Sequence, residues 1–331
     1  MLAVTRPRSS QNLRAPTGRG DFVCPAYWVV AAALLVAALF GASLGQPQAV
    51  GAATILFIGG GMPHGAYDIA LLRRANSIGH LEVVLATGCY VAIAIFMVML
   101  WSGLPLVALV VFLIAAAVHF GEDWQILDEP LLRFAAGAAV IVAATIGHPA
   151  DVSALFVEMS DTRATVIAQI ITAAAPVILL VTIVGIVVAW RDGSRQWATA
   201  MALCLGLLII LPPVAGFALF FVFLHSPRHL AQTRILLPEM TFTRWLMTGA
   251  VLSGVAILGW IGLQRLLPTH LNATLPAQAF QLIASVALPH LLFSRWLEKR
   301  LDQAKHPYPT RKMKSGLKPL PASSIKAASE I

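Results

Sequence analysis

The chain has 331 residues, of which 58% are hydrophobic and only 11% charged, against about 25% charged in an ordinary soluble domain. That balance excludes a water-soluble enzyme, and the length of the apolar runs excludes a membrane β-barrel, whose strands are short and alternating. The formal net charge of +8 gathers largely in the two tails, where Lys and Arg orient a membrane chain, so it is no signature of nucleic-acid binding.

Met1 to Asp21 is polar and carries Arg6, Arg8, Arg14 and Arg19. It reads as the main part of a disordered, basic cytoplasmic tail over residues 1–26. The apolar run Tyr27 to Leu44 is longer than the h-region of a signal peptide, about 7–15 residues, and reads as a first span. A second span, Gly51 to Leu72, ends at Arg73-Arg74. Val83 to Gly121 contains no Asp, Glu, Lys or Arg and holds the third and fourth spans, with a turn at Ser102-Gly103-Leu104-Pro105. The fifth covers about Leu132 to Gly147. A longer loop with Asp151, Glu158 and Asp161 leads to the sixth, about Ala164 to Trp190.

Gln196 to Pro227 is too long for one span and is broken by Pro212-Pro213. Charge decides how to divide it. With the tandem prolines as an outer turn, 21 of the 23 basic residues fall on the inner side, leaving only Arg163 and Arg265 outside. A single span there would flip everything downstream and leave only 10 inside. The positive-inside rule selects the first arrangement; a re-entrant pair turning at the prolines gives the same sidedness and stays open. The last segments are about Trp245 to Leu266 and Ala277 to Ser294. The sequence thus predicts an all-α, polytopic transmembrane helical bundle over residues 27–297. It has about ten membrane segments, the eighth paired with the seventh through Pro212-Pro213. Both termini are cytoplasmic, and residues 298–331 form a basic, disordered tail near anionic lipid headgroups. The expected location is the cell (inner) membrane, with no soluble domain, no internal repeat and nothing that sets an oligomeric state.

The chemistry concentrates in a few motifs. Gly59-Gly60-Gly61-Met62-Pro63-His64-Gly65-Ala66-Tyr67-Asp68 lies inside an apolar run whose only charge is Asp68. A histidine and an aspartate four residues apart share a helix face, and ionisable groups at membrane depth are costly enough to mark a function. The alternative is a satisfied polar pair that packs two helices. His119 ends the fourth span before Gly121-Glu122-Asp123, where both acids also read as ordinary loop charges. His225 and His229 end the eighth at i and i+4, a spacing that lets one helix face chelate an ion. Equally, Ser226-Pro227 starts a new helix and kinks the pair apart, or Arg228 and His229 snorkel to the interface. His290 follows Pro289 and reads as a pocket residue, or one that supports a ligand, rather than as a ligand.

The predicted topology puts His64, His119, His225, His229 and His290 at similar depth in the cytoplasmic half. His80, His148, His270 and His306 fall in loops or tails. Cys24, Cys89 and Cys204 show no metal spacing. Several imidazoles without a thiolate suit iron, copper, zinc or nickel. Open positions in an apolar cavity suit oxygen chemistry on a greasy substrate better than hydrolysis.

Pro63-His64-Gly65-Ala66-x-Asp68, His119-Phe120-Gly121-Glu122-Asp123, His225-Ser226-x-Arg228-His229 and Pro289-His290 resemble the Brp/Blh family of membrane β-carotene 15,15′-dioxygenases. The motifs occur in the family's order, over about Gly59 to Trp296. Ile69 departs from the pattern, which favours a second polar residue after the aspartate. The resemblance implies one non-haem Fe(2+) held by His64, His119, His225 and His229. Asp68 and Glu122 would orient ligand histidines, with His290 and Arg228 around the pocket. The implied reaction adds both atoms of O2 across the central double bond of β-carotene and yields two all-trans-retinal. Trp124, Phe220, Phe221, Phe223 and Trp296 would line a tunnel for the polyene. The competing readings are the same type of oxygenase on another carotenoid, an apocarotenoid or a lipid, and a proton- or ion-coupled transporter with a histidine cluster. Membrane desaturases and hydroxylases fit less well, because they carry several clustered histidine boxes and this chain has one close pair. A proton relay would spread its polar residues through the full depth, whereas these gather at one level.

Overall fold

The computed structural model describes residues 23–74, 79–266 and 273–305. His270, His306 and most of both expected tails lie outside the described residues. All regular structure among the described residues is helical. In chain order it runs α1 (Pro25–Leu39), α2 (Pro47–Leu56), a π turn (Phe57–Gly61), a 3-10 turn (Met62–Tyr67) and α3 (Asp68–Arg74). Then come α4 (His80–Gly103), α5 (Pro105–Gly121), a 3-10 turn (Glu122–Trp124), α6 (Pro130–Gly147), α7 (Pro149–Met159) and α8 (Ala164–Arg191). The last are α9 (Arg195–Ile210), α10 (Pro213–Phe220), a second π turn (Phe221–His225), α11 (Ser226–Leu236), α12 (Phe242–Leu266) and α13 (Leu275–Lys305).

Eight of these helices, counting helical segments that run on end to end as one, are long and apolar enough to cross a membrane. The shorter apolar helices α1 and α9 have 15 and 16 residues. At about 1.5 Å per residue they reach roughly 22–24 Å, short of a hydrocarbon core about 30 Å thick. Of the outermost helices, α1 begins at Pro25 and α13 runs to Lys305. The expected loop after Gly147 holds α7, because Pro149 presets the first turn of a helix. Likewise α9 stops at Ile210 and Pro213 opens α10. His80 starts α4, and His148 precedes α7 with its Nε2 3.2 Å from the Ile210 carbonyl.

Small residues let α6 pack at the centre. Ala135, Ala136, Gly137, Ala138 and Ala139 are all buried, and such a stretch permits close backbone approach in a medium that offers no hydrophobic drive between helices. A Cβ on Gly137 would collide with the Ala117 carbonyl and the Gly121 amide of α5, and one on Gly147 with the Ile209 carbonyl of α9. The α5 contact fixes the end of the helix that carries His119. By contrast, α4, α8 and α12 present many exposed large apolar side chains, as lipid-facing helices do.

Gly137→Ala should therefore destabilise the bundle by about 1–3 kcal/mol, as overpacking does, and lower the thermal midpoint in detergent. Gly254→Ala, on α12 with no atom near its added methyl, should leave the midpoint unchanged. Equal midpoints for the two variants would refute the tight α5–α6 contact.

Candidate metal centre

The segments that bear the histidines leave α geometry at the site. His64 sits in the 3-10 turn that follows the first π turn, and His225 closes the second π turn. π turns are rare in helices and frequent at functional sites. Glycines let the two pack together: a Cβ on Gly60 would lie 2.8 Å from Val222 Cγ1, and one on Gly61 would enter the ring of Phe221.

Four imidazoles meet there. His64 lies 5.9 Å from His119, 5.1 Å from His225 and 5.6 Å from His229, centroid to centroid. His225 lies 4.8 Å from His119 and 4.5 Å from His229. His64, His119 and His225 are all buried, and each offers a ring nitrogen within 4.8 Å of the other two.

Hydrogen bonds to the outer nitrogens decide which nitrogens face inward. The Nδ1 of His64 is 2.5 Å from the Gly61 carbonyl, which also accepts the Ser226 hydroxyl at 3.1 Å. The Nδ1 of His119 lies 3.2 Å from Glu122 Oε2, and that of His225 lies 2.7 Å from Asp123 Oδ2. Carbonyl and carboxylate oxygens only accept, so in the neutral rings each Nδ1 carries the proton. Each Nε2 then presents a lone pair to the centre.

The Nε2 atoms of His119 and His225 are 3.2 Å apart. Two bare lone pairs at that distance repel unless a proton or a cation lies between them. Two ligand nitrogens about 2.1 Å from a shared ion stand roughly 3.0–3.4 Å apart for angles between a right angle and the tetrahedral value. The donor set therefore fits a first-row transition ion, and its imidazole-only chemistry fits iron, copper, zinc or nickel.

His229 differs from the other three. Its Nε2 lies 3.3 Å from Asp123 Oδ1, but neither atom makes a hydrogen bond and both are buried. Asp123, His225 and His229 form a second set of ligand atoms within 4.8 Å of one another. An imidazole nitrogen and a carboxylate oxygen 3.3 Å apart pair with each other when the ring carries the proton, and the same two atoms are also suited to hold a cation.

The remaining candidates take other places. Asp68 holds His290 rather than one of the four clustered histidines, with its Oδ2 2.6 Å from His290 Nδ1. The His290 ring stands 5.3 Å from His64 and 5.2 Å from His119. Arg228 is buried over the Trp197 ring at 4.2 Å and does not line the cavity. Glu122 also accepts from Arg295 Nε at 2.9 Å.

Beside the histidines lies a cavity of about 430 Å³ with almost wholly apolar walls from α4, α5, α12 and α13. His64, His119 and His290 reach it, and Ile69 lines it. Of the five aromatics expected along a tunnel, only Phe221 lines this cavity. Trp124 packs on Trp197, Phe220 on Phe120 and Trp296 on Phe293, while Phe223 packs against the core. Phe112, Phe120 and Phe217 line it instead.

Sequence reasoning passed over Asp123 and Ser226. Asp123 is the most buried acid of the site, with its side chain 1% exposed. Its signal was its place, one of two adjacent acids closing a charge-free run of 39 residues from Val83 to Gly121. Ser226 read as a helix cap, yet its hydroxyl goes to Gly61 and caps nothing.

A family model described as beta-carotene 15,15'-dioxygenase matches residues 53–298. The chain is also similar to a beta-carotene 15,15'-dioxygenase from uncultured marine bacterium 66A03. The two are 25% identical over 258 residues, which cover 72% of this chain and 90% of the relative. No solved structure matches the chain. The family match contains all four clustered histidines with Asp68, Asp123 and His290, and the chain belongs to the β-carotene 15,15′-dioxygenase family.

Proposed function

We propose that this protein is an iron-dependent membrane dioxygenase that cleaves β-carotene at its central 15,15′ double bond with O2, giving two all-trans-retinal. The observation that carries the reading is the convergence of three buried ring nitrogens within 4.8 Å, at the edge of an almost wholly apolar cavity. His64, His119 and His225 would hold Fe(2+) through Nε2, with His229 as the fourth ligand. Bound iron supplies the activation of O2, and the other roles fall to the chain's own groups.

Neutral imidazoles leave the ion its full charge and leave positions free. Asp123, Glu122 and the Gly61 carbonyl fix the tautomer and direction of their rings, the usual task of groups behind a ligand histidine. The apolar walls bind the hydrocarbon and exclude water, so the polyene meets the site in a dry medium. His290, aligned by Asp68, faces the same cavity beside His64 and His119. Its ring can hydrogen-bond to what occupies that space. A carotenoid dissolves in the bilayer, and the exposure of Val91, Ile95 and Val255 on the cavity's wall supports sideways access from lipid. We place the protein in the cell inner membrane with about ten membrane segments, both termini and the iron site toward the cytoplasm. The distribution of basic residues supports that sidedness.

Expression in carotene-accumulating bacteria should bleach the yellow colour and yield retinal. Unchanged β-carotene, with the protein confirmed in the membrane and iron supplied, would sink the proposal. His64→Ala, His119→Ala, His225→Ala and His229→Ala should each lose iron or turnover, read by metal analysis and product formation; a variant that keeps both leaves the ligand set. Asp123→Asn should weaken iron retention about 10–100-fold, read by competition with a chelator. Unchanged retention would show that Asp123 merely packs.

A further inference from the structure

The histidine cluster has two flanks, and one of them faces away from the cavity. His64 and His119 line the cavity, whereas Asp123, His225 and His229 do not. The second set of donor atoms, on those three residues, therefore lies behind the first. The His225 ring stands between the two sets. Its Nε2 is 3.2 Å from His119 Nε2, and its Nδ1 is 2.7 Å from Asp123 Oδ2.

The flanks differ in chemistry. The cavity walls are almost wholly apolar, and a dication that sheds its water among them does so at high cost. An ion bound for the cluster needs a polar way in, and the far flank offers one. The His229 side chain is 20% exposed, against 0% for His225, 1% for Asp123 and 6% for His119. Its Nε2 is covered, so the exposed part of the side chain lies away from Asp123. His229 also stands on the polar helix α11, where Gln232, one turn further on, is exposed. That helix ends at Leu236, whose carbonyl accepts from Arg74. Arg74 in turn pairs with Glu239 at 3.2 Å, and both side chains are exposed. Seven residues, about 10 Å of helix, thus lead from His229 to a solvated ion pair.

We propose that Asp123 and His229 form a loading station for a hydrated, divalent first-row transition ion, on the flank of the cluster that the cavity does not reach. This rests on the reading of the cluster as a metal centre. Movement of the one partly exposed side chain, His229, opens the station. Asp123 Oδ1 and His229 Nε2, 3.3 Å apart, then take the ion while it keeps part of its water. A carboxylate oxygen and an imidazole suit an ion in that state. His229 turns inward with it and becomes the fourth ligand beside His64, His119 and His225. The His229 ring has little way to go, 4.5 Å from His225 and 5.3 Å from His119 between centroids. Metal and polyene reach the cluster from opposite sides.

Stopped-flow mixing of the metal-free full-length protein with Co(2+), followed by the absorbance of the bound ion, measures association; a chelator chase measures dissociation. Asp123→Asn should slow association at least about tenfold, the scale on which local charge raises the encounter rate of a counter-ion, and Asp123→Glu should restore it. If Asp123 merely aligns His225, the loss appears as faster dissociation with association unchanged, and the proposal falls. A second arm needs no variant. Wild-type protein saturated with β-carotene under argon should take up Co(2+) as fast as pigment-free protein. Uptake blocked by the pigment overturns the proposal, because the ion then enters through the cavity. Failure of β-carotene to bind counts against the polyene reading, while the Asp123 variants still decide this one. Failure of Co(2+) to bind at all overturns the metal-centre reading and the station with it.

Discussion

An imidazole kept from water inside an apolar bundle must find partners for both of its nitrogens. That requirement organises the centre of this molecule. Three outer nitrogens are met by oxygens of the chain itself: the Gly61 carbonyl, Glu122 and Asp123. Three inner nitrogens are met only by one another, with His119 and His225 3.2 Å apart. Protein groups alone satisfy the outside of the cluster and leave the inside electron-rich. A cation would resolve the arrangement, and the cost of leaving buried polar atoms unmatched would be the force behind its affinity.

The same requirement accounts for the departures from regular helix. The two π turns and the 3-10 turn, with Gly60 and Gly61 at the contact, bring the Gly61 carbonyl within reach of both His64 Nδ1 and the Ser226 hydroxyl. Irregular backbone at membrane depth is tolerated where it is buried in protein and its polar groups are met. Here it is also what aims the rings.

Much of this was legible in the sequence. The apolar runs gave the helices, because a bilayer admits few other structures, and the histidines stood out because an ionisable group in such a run is expensive. Three things were not legible, each for a physical reason. Length and composition do not fix whether α1 and α9 cross fully, since both are too short to span untilted. Side-chain pairing across helices is a tertiary property, so the motif that holds Asp68 did not show that its partner is His290, 222 residues away. An aromatic residue beside a ligand motif carries no sign of which way it faces. Phe220 and Phe221 are neighbours, yet Phe221 lines the cavity while Phe220 packs away from it against Phe120.

The adjacent acids Glu122 and Asp123 show how one turn divides labour between a dry interior and a wet margin. Asp123 turns inward, 1% exposed, where its two oxygens meet only His225 and His229. Glu122 is 22% exposed and bridges outward, from His119 to Arg295. Arg295 stands on α13, five residues beyond His290, so a single helix holds both the outer end of the Glu122 bridge and the Asp68-aligned ring at the cavity. Any displacement of α13 would thus move the support of His119 and the wall of the cavity together. The clustered histidines and the cavity beside them are coupled through one rigid element, which in the proposed reading would keep a long polyene in register with the bound ion.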